Sequence, residues 1–107
     1  MSDLRALSAA VFAPHLNTVF TMASEEGVEI AATLTACQEN PRNTMRGAQR
    51  TAFDLLLECP AEGLPHFNGA SFTITHPVVG SFGPVYMERV ASASAGPSVA
   101  RFQIIFN

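Results

Sequence analysis

Three histidines, His15, His66 and His76, are the side chains of this sequence best suited to acid–base or metal chemistry. None stands at short spacing from another His, Cys or carboxylate of the kind zinc sites use, so they suggest no metal site and no cofactor. His76 falls on the parity of Ala70, Phe72 and Ile74 and precedes Pro77, which reads as a rim histidine bonded to backbone. His15 follows Pro14 and is placed to cap the last carbonyls of a preceding helix. Nucleophilic catalysis needs a Ser or Cys beside a base that a third group orients. Ser81, in Gly80-Ser81-Phe82-Gly83, lacks the Gly-x-Ser-x-Gly spacing of a nucleophile turn. Asp54 and Glu58 share an outward strand face and read as solvated charges or Arg partners. No glycine-rich phosphate loop is present. No catalytic residue is assigned, and the chain is expected not to be an enzyme.

The most pointed surface feature is Arg42, Arg46 and Arg50, inside the Pro- and Gly-containing segment 39–50. Spacing by four aligns the guanidiniums if the segment is helical, and such a cluster holds a phosphate, a carboxylate or an acidic patch on a partner. Pro41 and Gly47 oppose a helix there, and a solvated loop is the competing reading. A second candidate surface is the last strand. Val99, Arg101, Gln103 and Ile105 point away from the Phe102–Phe106 face, and at a sheet edge this strand would offer its amides to another chain. Burial of Ile105 under the N-terminal helix is the alternative.

The elements that would position these residues follow from periodicity. Ala70, Phe72, Ile74 and His76 alternate with Ser71, Thr73 and Thr75, and Ala100, Phe102, Ile104 and Phe106 alternate with polar residues in the same way. A period of two marks half-buried sheet. Strands are expected over about 18–24, 28–38, 51–59, 70–76, 82–91 and 99–106, with Glu25-Glu26-Gly27 as a tight turn and Gly83-Pro84 as a bulge or an edge. Ser2 or Asp3 caps a short helix over about 3–12, which Pro14 ends and which Phe12 and Leu16 anchor to the sheet. The expected fold is all-β: one domain over residues 1–107, a six-stranded antiparallel barrel or sandwich with a short N-terminal helix. On this reading Cys37 lies on the polar side of its strand, opposite about residue 53, and Cys59 lies on the apolar side of the next. Opposite faces and a shifted register argue against a disulfide, and free thiols fit a reducing compartment.

Composition narrows the function classes. A net charge of −3 argues against a general nucleic-acid binder, and no apolar run reaches the length of a membrane span. The first residues do not form a secretory signal, so synthesis in the cytoplasm is expected, with later incorporation into a virion or secreted particle left open. Charged residues make up only 14% of the chain, against roughly 25% in an average soluble domain. Either part of the surface is covered by a protein partner or a second copy, or the composition is simply biased towards Ala, Ser and Thr.

Three segments carry a resemblance. Phe12-Ala13-Pro14-His15-Leu16 precedes Phe20, His76-Pro77-Val78-Val79-Gly80 precedes Phe82, and the chain closes on Arg101-Phe102-Gln103-Ile104-Ile105-Phe106-Asn107. Together they resemble a family of short bacterial proteins, domain-of-unknown-function family 6916, with an F-x-P/x-L opening, a His-Pro-x-x-Gly corner and a final Phe-Asn. The resemblance implies a small β-domain without assigned catalytic residues, so no site residue is carried over, and it places some members near tail-fibre or collar proteins of phage-like particles. The sequence departs from the pattern at Val85-Tyr86-Met87-Glu88-Arg89-Val90, which replaces a more apolar run and puts the packing of that strand in question. The function expected is a structural or accessory protein-interaction module of a multi-subunit assembly. The alternative is a small-ligand-binding barrel that uses His76, Tyr86 and the Arg42–Arg50 loop at its mouth, and a hydrolase ranks third.

Overall fold

A computed structural model describes residues 7–40, 51–64, 69–90 and 98–106. It contains a single helical turn, α1 (Ala9–Phe12), running into a 3-10 turn (Ala13–His15). Six strands follow: β1 (Val19–Ala23), β2 (Glu29–Glu39), β3 (Phe53–Pro60), β4 (Gly69–His76), β5 (Gly80–Val90) and β6 (Val99–Phe106). All pairings are antiparallel, and the order β1-β2-β3-β6-β5-β4 returns to β1 as a closed barrel. Of the two expected architectures, barrel and sandwich, the barrel is the one formed.

Closure corrects the expectation of an edge at β6. It is bonded to β3 along its whole length, from Pro60↔Val99 to Phe53↔Phe106, and to β5 through Arg101, Phe102 and Gln103. A barrel strand and the edge strand of a one-sided sheet share the same alternation, so the pattern of β6 by itself does not distinguish them. Ile105 is 56% exposed and is not covered by the helix, because the helix caps the end of the barrel instead of lying on its wall.

The helix is also shorter than expected. Leu7 and Ser8 are not helical, Ser8 is the extended residue ahead of Ala9, and the proposed caps Ser2 and Asp3 lie outside the described residues. Pro14 sits in the 3-10 turn, where its missing N–H costs little. Asn17 then takes φ 68, a conformation that Asn tolerates better than most residues. This reversal leaves Leu16 39% exposed, so Phe12 alone of the two expected anchors enters the core.

Inward parity is as read for most strands. Phe20 and Met22 of β1, Phe72 and Ile74 of β4, and Phe102 and Ile104 of β6 are buried. In β5, Val85 and Met87 are buried while Tyr86 and Glu88 are exposed, so the segment that departs from the family pattern alternates normally. Gly83 and Pro84 form the expected bulge: Phe72 pairs with Val85 and Ile74 with Phe82, leaving two β5 residues opposite Thr73. A second bulge was not foreseen. Leu34 pairs with Leu57 but Ala36 pairs with Leu56, so Thr35 is the extra residue and parity flips after it. Cys37 therefore pairs with inward-facing Leu55, not residue 53, and packs half-buried against the core instead of on the polar side. Cys59 is buried beside Ala100, and both thiols are free.

Candidate functional site

One end of the barrel gathers the start of β1, the end of β2, the start of β3, the end of β6, the start of β5 and the end of β4. The helical segment seals this end. Phe12 is fully buried, with its ring 5.5–6.2 Å from those of Phe20, Phe53, Phe82 and Phe106, and edge-on to Phe82. Phe53 and Phe106 stack at 4.6 Å beneath it. Among the described residues the buried interior is made of rings and aliphatic side chains, with His76 as the one buried polar side chain.

His76 sits at the last position of β4, 6% exposed, between the rings of Phe20 at 4.4 Å and His15 at 4.7 Å. Its Nδ1 accepts from the backbone N–H groups of Val78 at 3.1 Å and Val79 at 3.3 Å. Its Nε2 lies 3.1 Å from Thr18 Oγ1, and that hydroxyl donates to the His15 carbonyl at 2.5 Å. The Thr18 proton is thereby committed, so Thr18 Oγ1 must accept from an Nε2–H, and the Nδ1 lone pair must face the two amides. The bonding fixes a neutral ring of one tautomer. Burial, and then the neighbouring His15, hold the His76 pKa below its ordinary value. Adding a proton at Nδ1 would set it against two N–H donors, which points the same way.

This arrangement leaves neither nitrogen of His76 available to a metal or a substrate. Among the described residues no three His, Cys, Asp or Glu side chains converge on a common point. Ser81 is not beside a base: its hydroxyl lies 2.9 Å from that of Thr75 on the outer wall. Cys59 and Cys37 have their thiols pushed up by burial; the carboxylates Asp54 and Glu39 reinforce this at Cys37, while Arg89 partly offsets it at Cys59. Raised thiols are poor nucleophiles.

On the outer wall, Asp54 and Glu58 are taken by β6. Arg101 Nε donates to Glu58 Oε2 at 2.8 Å with Nη2 at 2.7 Å from the same oxygen, and Gln103 Nε2 donates to Asp54 Oδ2 at 3.0 Å. The reading of these carboxylates as Arg partners holds for Glu58. Arg101 and Gln103, expected at an edge interface, instead tie two neighbouring strands together, with Val99 half-buried and Ile105 exposed on the same strand. Glu58→Gln should lower stability by about 1 kcal/mol or less, as expected for a half-exposed cross-strand pair. A denaturation series with Arg101→Ala and the double variant measures the coupling.

Tyr86 lies on the outer wall across Gly69, where an added Cβ would fall 2.1 Å from the tyrosine oxygen. It pairs with Ser71, five residues from His76 along β4, and is exposed where His76 is buried, so the two do not form one ligand mouth. Arg42, Arg46 and Arg50 lie outside the described residues, as does His66; the flanking residues Asn40 and Ala52 are bonded at the plugged end, Asn40 N–H to the Ala52 carbonyl at 2.6 Å.

A surface missed from sequence is a groove of about 450 Å³ on the outer wall, lined by Thr21, Ala23, Ala31, Thr73 and Thr75 with Glu29 and parts of Met22 and Ile30. It forms where β1 pairs with both β2 and β4. The outward parity of these Thr and Ala residues was visible, but their meeting depends on the pairing of β1 with β4, which no local pattern encodes. Among the described residues no helix is long and apolar enough to cross a membrane.

The family model described as Domain of unknown function (DUF6916) matches residues 7–106, which spans α1 and all six strands. No curated protein and no solved structure matches the chain.

Proposed function

We propose that this chain, which belongs to the DUF6916 family, is a non-catalytic protein-interaction module that works as a structural or accessory subunit of a multi-protein assembly. The observation that carries the reading is the Thr- and Ala-lined wall of β1, β2 and β4. These side chains are short, so burying them against a partner costs little rotamer entropy, and no Lys or Arg lines the groove. Among the described residues the buried side chains are apolar apart from His76, whose two nitrogens are both bonded, which leaves few polar groups inside the barrel to orient a small ligand and supports the same reading. An assembly of the phage-tail type is the specific setting proposed, on the family resemblance. The working form is a second copy of this chain or a distinct protein subunit seated on the wall.

Light scattering coupled to size-exclusion chromatography tests this. The expected result is a mass above that of one chain, alone or in extract from the native source, and a return to the single-chain mass in the Thr21→Arg/Thr73→Arg double variant with the far-UV circular dichroism of a folded chain. A protein that stays monomeric at every concentration, and that carries no partner out of its native source, overturns the proposal.

A further inference from the structure

We propose that His76 is an acid-sensitive latch holding the segment Ala9–His15 in the mouth of the barrel, and that its protonation lets the segment leave and uncovers the rings of Phe20, Phe53, Phe82 and Phe106. This goes beyond the interaction reading and does not depend on it. The latch joins three elements through one ring. His15 belongs to the 3-10 turn that ends the plug, Thr18 to the stretch entering β1, and Val78 and Val79 to the corner between β4 and β5. Taking a proton at Nδ1 removes both bonds to the corner, leaves the Nε2–H bond to Thr18 in place, and puts a positive charge on a buried ring 4.7 Å from that of His15, a charge that water reaches only when the segment leaves.

The groups facing His76 are His15 from the 3-10 turn, Thr18 and Phe20 from the β1 side, and Val78 and Val79 from the corner. His15 is the one titratable group of this set, and no carboxylate in it would neutralise an imidazolium. The face of Phe20 attracts a cation, but a ring face does not replace two backbone bonds. Other ties on the plug include the burial of Phe12, the packing of Ala9 and Val11 against the core and the Cys37 Sγ contact to the Ala9 carbonyl at 3.6 Å, and none of these titrates in the acid range. The acid-sensitive bonding among these ties is therefore that of His76, with His15 as its one titratable neighbour. Only the released state binds the proton readily, so release is favoured as pH falls below the ordinary His value of about 6.5 and is disfavoured above it.

The test is amide hydrogen exchange on the full chain by NMR, corrected for intrinsic rates, from about pH 7.5 to about pH 5. The N–H groups of Val11, Leu16 and Thr18, bonded to the carbonyls of Ser8, Ala13 and His15, report on the plug, and those of β3 report on global unfolding. The expected result is an opening constant for the plug that rises by up to about tenfold for each pH unit below about 6.5, out of step with β3. His76→Asn offers Val78 and Val79 a carbonyl acceptor that does not titrate, and is expected to flatten the dependence. Should that variant not fold, ¹⁵N shifts of the wild-type ring decide, with the neutral Nε2–H form expected to persist well below pH 6.5. A plug whose opening is flat with pH, or rises only together with β3, overturns the proposal. So does a dependence that survives in His76→Asn, or a His76 that titrates at the ordinary value.

Discussion

Phe12→Ala is expected to cost about 3–5 kcal/mol, the range for removing a fully buried aromatic side chain. Total stabilities of small domains are about 5–15 kcal/mol, so the variant should lose a large share of its folded population on modest warming. Phe12 is the centre of a five-ring cluster and packs against rings near the ends of β1, β3, β5 and β6. Truncation leaves Phe20, Phe53, Phe82 and Phe106 facing a void that a barrel, held by hydrogen bonds around its whole circumference, cannot close by collapse. The chain has no Trp, so denaturant unfolding is best followed by far-UV circular dichroism. Phe12→Leu, which refills most of the volume, should recover the greater part of the loss. If Phe12→Ala costs under about 1 kcal/mol, the segment Ala9–His15 is not a plug, and the latch at His76 has nothing to hold.

The same cluster shows how far residue types and spacing carry. Alternation marked Phe72, Ile74, Phe102 and Ile104 as inward because uniform strands keep their parity, and the structure buries all four. It misplaced Cys37 because one extra residue at Thr35 reverses every side chain after it, and Thr35 is chemically ordinary. The bulge at Gly83-Pro84 was legible because those two residue types announce it. Closure of the barrel was not legible, since it is a property of β1 meeting β4 and β3 meeting β6 across long stretches of chain. His76 drew notice as a polar residue on an apolar parity. Its bonding was half visible: the backbone partners Val78 and Val79 are neighbours in sequence, while Thr18 lies 58 residues away. The Arg42–Arg50 cluster was the sharpest feature of the sequence, and it lies outside the described residues.

Gly83→Ala is the second substitution expected to be severe, at roughly 2–5 kcal/mol, and it acts through backbone instead of a cavity. Gly83 takes φ +131, a conformation open to glycine and strained for other residues. An added Cβ would also lie 2.8 Å from the Phe72 carbonyl oxygen and 3.0 Å from Thr73 Cα, so β4 itself would have to move. Both neighbours are main chain inside the barrel ladder, where no flexible side chain can swing aside. Gly27 supplies the matched control. It too has positive φ, +91, but an added Cβ meets nothing within 4 Å, so Gly27→Ala carries the conformational penalty alone, about 1–2 kcal/mol. The difference between the two variants isolates the steric part of the bulge. Equal costs would mean that the bulge relaxes freely, whereas a larger loss at Gly83 would show that the close approach of β5 to β4 holds Phe72 and Val85 in register.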